Sequence, residues 1–221
     1  MKAWLVGVAL LMLSGLVHGD VAAKISFFSG RGAVDGLFYL NDGEAAEAKA
    51  STIRMDKPVS YKGAGELAFY ESEQEAENGK AEPLFTARLP EKAKRVLIVF
   101  AEDEDGAEIA LVFDFSDVSA KNSVIKFVNL SGKDLDAKVG EIATEIPDGG
   151  VGTVSKKDLE GDEVQMEVRE DSGEEDRVGR LYYSSLLGVE RKTHDFVMLM
   201  KSKSRARPIE ARRLEESVND H

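Results

Sequence analysis

Three apolar runs recur along the chain at a constant spacing, and this constrains the fold more than any other feature of the sequence. Lys24-Ile-Ser-Phe-Phe28 is answered by Val124-Ile-Lys-Phe-Val128, Val96-Leu-Ile-Val-Phe100 by Phe196-Val-Met-Leu-Met200, and Ile109 by Ile209, each one hundred positions further on. Short apolar runs resemble one another cheaply, but three matches at one offset read as an internal repeat. Intervening loops need small shifts: Ser29-Gly30-Arg31 meets Ser131-Gly132-Lys133 only after a two-residue gap. Each half must then be a unit able to occur twice.

The local signals are those of strands. Lys24 to Ser29, Gly36 to Leu40, Glu66 to Glu71, Leu84 to Leu89, Arg95 to Ala101 and Ala107 to Phe115 are short, rich in Val, Ile, Phe and Tyr, and separated by Gly, Asp, Asn or Pro. Ile109, Leu111, Phe113 and Phe115 alternate onto one face, the period of a half-buried strand. The second half offers Val124 to Asn129, Asp136 to Val139, Gly140 to Ile146, Glu163 to Arg169, Gly179 to Ser185, Asp195 to Lys201 and Pro208 to Leu214. Glu44 to Ser51 (EAAEAKAS) favours helix by composition but has no apolar stripe, so a loop or single turn is expected. Ile209 to Val218 reads as helix or strand by itself, and the repeat decides for strand. The fold class expected is all-β: two tandem antiparallel, immunoglobulin-like β-sandwich domains, residues 20–117 and 118–221, joined through Ser116 to Ser123.

Residues 1–19 read as a secretory leader: Lys2, an apolar stretch from Ala3 to Leu13, and Val17 and Gly19 at the positions three and one before a cut. A cut after Ala23 is the second choice. The apolar run is too short to span a bilayer, no later run reaches eighteen apolar residues, and no cysteine follows it to carry a lipid. Small exported animal domains are usually stapled by disulfides, so a chain with no cysteine points to a bacterial product, periplasmic or secreted. The formal net charge is −12, and −13 once Lys2 leaves with the leader; nucleic acid and anionic membrane surfaces would both repel it.

Charge is distributed unevenly. Residues 100 to 109, FAEDEDGAEI, hold Glu102, Asp103, Glu104, Asp105 and Glu108 between two apolar runs. Asp103 and Asp105 followed by Gly106 have the order of a calcium loop, but the helical calcium loop needs a Glu six residues after the glycine, where Val112 stands. A looser β-turn calcium site through Asp103 and Asp105 is the weak candidate, against a solvated hairpin turn. At the equivalent offset the second half reads MKSKSRARPI, residues 200 to 209, carrying Lys201, Lys203, Arg205 and Arg207. Opposed charges at corresponding tips invite contact between the halves, a protein partner, or head-to-tail self-association.

No catalytic constellation is apparent, and no cofactor is expected. His194 precedes Asp195, but neighbours on a strand point to opposite faces and cannot jointly hold an ion, so a structural role is expected. There is no Gly-x-Ser-x-Gly elbow, and the glycine groups at 30–32, 63–65 and 149–152 lack a following Lys-Ser or Lys-Thr. Asn129-Leu-Ser131 is a formal glycosylation sequon. Trp4 leaves with the leader, and most Phe and Tyr residues sit in expected strands; Tyr61 is the ring expected in a loop, which weakens a carbohydrate-binding reading.

The segment Val124 to Gly140, VIKFVNLSGKDLDAKVG, resembles the strand-turn-strand units of exported bacterial immunoglobulin-like modules, in which an Asn-x-Ser-Gly turn links two sheet strands. The resemblance implies a fold class and carries no catalytic residue. The leading functional expectation is an exported, non-catalytic binding or assembly module of the cell envelope. The alternatives are a polysaccharide or peptide hydrolase built from dispersed carboxylates, and a calcium-stabilised adhesin-like domain. A groove with two carboxylates and a water-excluding wall would favour the hydrolase.

Overall fold

A computed structural model describes residues 20–103, 105–119, 122–173 and 178–217. The first half runs β1 (Asp20–Ser29), β2 (Val34–Asn41), β3 (Glu44–Ala50), β4 (Val59–Ala64), β5 (Glu66–Phe69), a short helix α1 (Glu73–Asn78), β6 (Phe85–Arg88), β7 (Arg95–Glu102) and β8 (Glu108–Asp114). The second runs β9 (Val124–Leu130), β10 (Leu135–Val139), β11 (Ile142–Ile146), β12 (Val151–Ser155), β13 (Glu163–Glu170), β14 (Leu181–Gly188), β15 (Thr193–Lys201) and β16 (Ile209–Ser217). The all-β sandwich expectation holds. One sheet of the first half has the order β4-β1-β7-β8, and the corresponding sheet of the second has the order β12-β9-β15-β16. Opposite the first lie the hairpins β2-β3 and β5-β6, tied into one layer by reciprocal 2.9 Å backbone hydrogen bonds between Phe38 and Tyr70. Opposite the second lies β11-β10-β13-β14. Within each inner sheet the two central strands, β1 with β7 and β9 with β15, are parallel, and the flanking pairs are antiparallel.

The two inner sheets pack on each other, so the molecule is a stack of four layers with three cores. Ile25, Phe27, Tyr39, Phe69, Ile98 and Phe100 fill the first sandwich, whose rings meet edge-on or tilted around Phe69. Ile125, Phe127, Val139, Met166, Val197 and Leu199 fill the last. The middle core takes six buried apolar residues from each half, Phe28, Leu97, Val99, Phe113, Phe115 and Val118 against Val124, Val128, Phe196, Met198, Met200 and Leu214. Burying a large apolar side chain contributes about 1.5–3 kcal/mol, so this layer holds the halves together strongly. It also explains the sequence of the inner strands: β7 and β15 are covered on both faces, so they read as unbroken apolar runs instead of alternating.

Polar ties reinforce the middle core. Phe115 stacks on Phe196 with centroids 5.2 Å apart and planes 7° apart, and Arg95 lies over the Phe196 ring while its Nη2 donates to both oxygens of Glu216 at 2.8 and 2.7 Å. Lys126, buried on β9, reaches Asp117 at 2.6 Å, and Arg212 donates to the Thr52 carbonyl at 3.1 Å. The connecting segment is thereby part of the packing: Val118 is buried in the middle core.

Several expectations need correction. Glu44–Ala50 (EAAEAKA) is strand β3, because Asn41-Asp42-Gly43 turns the chain tightly with positive φ at Asp42 (53°) and Gly43 (87°) and zips β3 onto β2. Ala48 and Ala50 then face the core, so pairing and burial override helix propensity. Strands β4 and β12, the corresponding inner-sheet edges, were not expected at all; each is short and contains glycine. Tyr61 lies in β4, is buried, and donates its hydroxyl to the Ala64 carbonyl at 2.7 Å; burial pushes its pKa up to about 12. Helix α1, which the strand signals do not anticipate, ends at Asn78-Gly79, with Ser72 capping its start and Gly79 left-handed at φ 62°. The spacing of one hundred holds for β1 and β9 alone. Phe27 pairs with Ile98 and Phe127 with Val197, so β15 follows β7 by ninety-nine, and Val96 faces the first core whereas Phe196 faces the middle one. Val112 opposite Ile98 and Arg213 opposite Val197 then put β16 at one hundred and one from β8, the later loop being two residues longer.

Candidate functional site

The hairpins β7-β8 and β15-β16 occupy corresponding places in the two inner sheets, and their tips lie at the same end of the stack. The last paired residues before the turns are Glu102 with Glu108 in one and Lys201 with Ile209 in the other. Because the inner sheets pack face to face, the two tips line facing walls of one cleft of ≈ 900 Å³. Glu102 and Asp103 stand on one wall and Lys201, Lys203 and Arg212 on the other, with Gly30 and Arg31 contributing from the turn after β1 and Leu130 and Met200 forming an apolar floor. The tips therefore converge within one molecule, yet among the described residues no ion pair joins them.

The acidic wall is neutralised locally. Arg31 pairs with Glu102 at 3.5 Å and with Glu108. Asp103 Oδ1 accepts from the backbone N–H groups of Asp105 and Ala107 at 3.0 and 2.8 Å, so this carboxylate shapes the turn. The Asp103 carboxylate thus has a structural role in the turn, and among the described residues no three His, Cys, Asp or Glu side chains are grouped to hold one ion. Glu104 lies outside the described residues.

The basic wall is not neutralised. Lys201, Lys203, Arg205 and Arg207 make no ion pair among the described residues, whereas Arg212 pairs with Glu210 at 2.8 Å. Ser202 and Ser204 form the turn itself, Ser202 Oγ accepting from Ser204 N and Ser204 Oγ from Arg207 N. The same loop borders two further depressions. One, of ≈ 210 Å³, is lined by Ser131, Lys133, Lys203 and Arg205; the other, of ≈ 480 Å³, by Tyr182, Tyr183, Ser184 and Arg207. Sequence reasoning found the charged tips and missed Arg31, the apolar floor and the tyrosines. Arg31 was visible only as a turn residue, and Tyr182 and Tyr183 read as ordinary strand residues.

Other polar groups have structural assignments. His194 and Asp195 do point to opposite faces of β15. His194 faces the middle core near Phe196, and burial holds its pKa below the ordinary 6.5 against the pull of Glu216. Asp195 faces the last core, where Lys156 Nζ lies 2.7 Å from Oδ2, too bent for a hydrogen bond, and Arg213 donates to Oδ1 at 2.8 Å. Lys156 also donates to Thr193 Oγ1 and the Glu190 carbonyl. Asn129, the sequon residue, is fully buried; it donates to the carbonyls of Lys133 and Ile146 at 2.7 and 2.8 Å and accepts from Ser131, so it braces the β9-β10 turn against the end of β11. A shallow depression of ≈ 570 Å³ on the outer face carries Asp136, Glu145 and Glu167. Burial, then Asp171 and Glu145, raises the Asp136 pKa, but Glu167 is held by Arg169 at 2.9 Å.

No helix among the described residues is long and apolar enough to cross a membrane. No protein-family model and no curated protein matches the chain.

Proposed function

We propose that the chain is an exported, non-catalytic binding or assembly module of the bacterial cell envelope, a rigid four-layer block that engages its partner at the charged cleft. The observation that carries this reading is the basic wall: four cations without counter-ions among the described residues, on a chain of net charge −12, beside a cleft of ≈ 900 Å³. The hydrolase alternative is less well supported. Glu102, Asp103 and Glu210 are exposed, and each already has a cation or backbone partner, whereas a general acid needs surroundings that keep it protonated. Export through a cut after Gly19 is favoured over a cut after Ala23, because Val21 and Ala23 are buried and residues 20–23 pair with Gly63, Ala64 and their neighbours on β4.

The test is fractionation of the native cell with mass spectrometry of the mature N-terminus, combined with photo-crosslinking from position 202. A periplasmic or secreted chain starting at Asp20, whose crosslink to an envelope component disappears in Lys201→Glu/Lys203→Glu, is expected. A cytosolic chain retaining its first nineteen residues would overturn the export reading.

Because both tips stand at one end, self-association through them would be two-fold, with the acidic tip of each copy on the basic tip of the other, and not head-to-tail. This second reading has a decisive form. Lys201→Glu/Lys203→Glu and Glu102→Lys/Asp103→Lys should each be monomeric yet pair with one another when mixed; sedimentation that shows monomers for the wild type and the mixture at low salt refutes it.

A further inference from the structure

We infer that the basic loop Lys201–Pro208 is the contact surface for an anionic polysaccharide, which follows a track around the loop from the cleft to the edge strand β14. This rests on the binding-module reading and names the class of its partner. Three depressions, of ≈ 900, ≈ 210 and ≈ 480 Å³, all include Ser202 and Ser204 in their walls, so they are stretches of one path and not separate holes. Along it stand Lys201 and Lys203, then Arg205 beside Lys133, then Arg207 beside Tyr182 and Tyr183. A path of this length suits a polymer better than a small ion.

The lining selects the chemistry of that polymer. Four side-chain cations without an ion-pair partner among the described residues call for repeated negative charges. Lys133 is excluded from that set, since Glu170 takes its charge at 2.5 Å. Hydroxyls of Ser184, Ser202 and Ser204 line the same path and can exchange hydrogen bonds with a hydroxylated ligand. Tyr183 is half-buried and offers part of an aromatic ring, whereas Tyr182 is held by its hydroxyl, which donates to Glu170 at 2.7 Å, and by Arg180 over its ring. Carboxylated or sulfated sugar units supply both charge and hydroxyls. Single-stranded nucleic acid fits worse, because it calls for a series of open stacking rings, whereas here Tyr182 is held and Tyr183 is half-buried. An acidic peptide would find cations but few apolar pockets for its side chains.

The experiment is calorimetric titration of the mature chain, residues 20–221, with polygalacturonate, dextran sulfate, neutral dextran, poly-glutamate and a single-stranded oligonucleotide, at low and moderate salt. Polygalacturonate or dextran sulfate should bind and neutral dextran should not, with affinity falling as salt rises. Lys203→Glu/Arg205→Glu should weaken binding by about tenfold or more, while Lys157→Glu/Lys192→Glu, the same charge change on exposed residues near the other end of β15, should leave it unchanged. Tyr183→Ser should weaken the polysaccharide without changing the salt dependence. Circular dichroism confirms that each variant is folded, and Arg205→Ala/Arg207→Ala serves as a second, milder loop variant. The inference is overturned if neither anionic glycan binds, if the loop variants bind as the wild type does, or if poly-glutamate or the oligonucleotide binds more tightly. Such a result leaves the envelope-module reading standing, because that reading is decided by fractionation and crosslinking.

Discussion

If the middle core makes one rigid body of the two sandwiches, removing its central ring should uncouple them. Phe196 is fully buried on β15 and stacked on Phe115 across the junction, with Arg95 over its face. Phe196→Ala should cost about 3–5 kcal/mol, the usual range for a buried Phe-to-Ala change, of which the lost stack accounts for ~0.5–1.5 kcal/mol. Against a total stability of about 5–15 kcal/mol that is a large share, and it falls on the one layer common to both halves. Urea unfolding followed by circular dichroism and tyrosine fluorescence is the assay, since residues 20–221 hold no tryptophan. The wild type should unfold in one transition with a slope set by the whole chain, and Phe196→Ala in two transitions of smaller slope. Phe127→Ala, on the neighbouring β9 but facing the last core, should cost a comparable amount and destabilise the second sandwich. A single transition of unchanged slope in Phe196→Ala, shifted by less than about 1 kcal/mol, would refute the shared-core argument.

Three further outcomes are expected. Lys156→Met strands Asp195 with Arg213 alone and should cost about 3–5 kcal/mol by urea titration, whereas Lys156→Met/Asp195→Leu should recover much of that loss, because a buried pair adds little over apolar packing. His194 has a folded pKa below 6.5, so the unfolded chain takes up its proton first; stability from this group is complete above that value and declines as pH falls through it. A melting series from pH 7.5 to 5.5 should show that decline, flattened in His194→Gln; an identical slope in the variant counts against the assignment. Asn129→Asp keeps the acceptor for Ser131 but loses the Nδ2 donation to the carbonyls of Lys133, Ile146 and Pro147, and should lower stability by roughly 2–4 kcal/mol in the same assay.

What the sequence revealed and what it concealed follow from which interactions set each element. Strands such as β7 and β15 are legible because burial on both faces demands unbroken apolar runs. β3 was hidden because EAAEAKA is alanine and charge, and only the tight turn at Asp42-Gly43 and the pairing with β2 make it a strand. β4 and β12 were hidden because an edge strand needs one good partner and little burial; Val59 and Ser60 are exposed while Tyr61 alone anchors the β4 core face. The parallel pairing of β1 with β7 depends on contacts more than sixty residues apart in the chain, which no local period encodes.

The site was legible in a different way. Opposed charge at corresponding positions, Glu102 and Lys201, is written in the sequence, but its consequence depends on whether the tips share an end of the molecule. The middle core decides that, by stacking β7 on β15 so that the two hairpins project together. The opposite charges of the two walls would offset one another there, were it not for Arg31. By pairing with Glu102 and Glu108 it satisfies the acidic wall from its own side and leaves the basic wall unmatched. Arg31 thus decides whether the loop's cations are available to a ligand. Arg31→Ala should release the two glutamates to face Lys201 and Lys203, closing the cleft electrostatically and weakening any anionic ligand even though no loop residue has changed. If the affinity of polygalacturonate is the same in Arg31→Ala as in the wild type, the acidic wall has no part in setting the charge of the track.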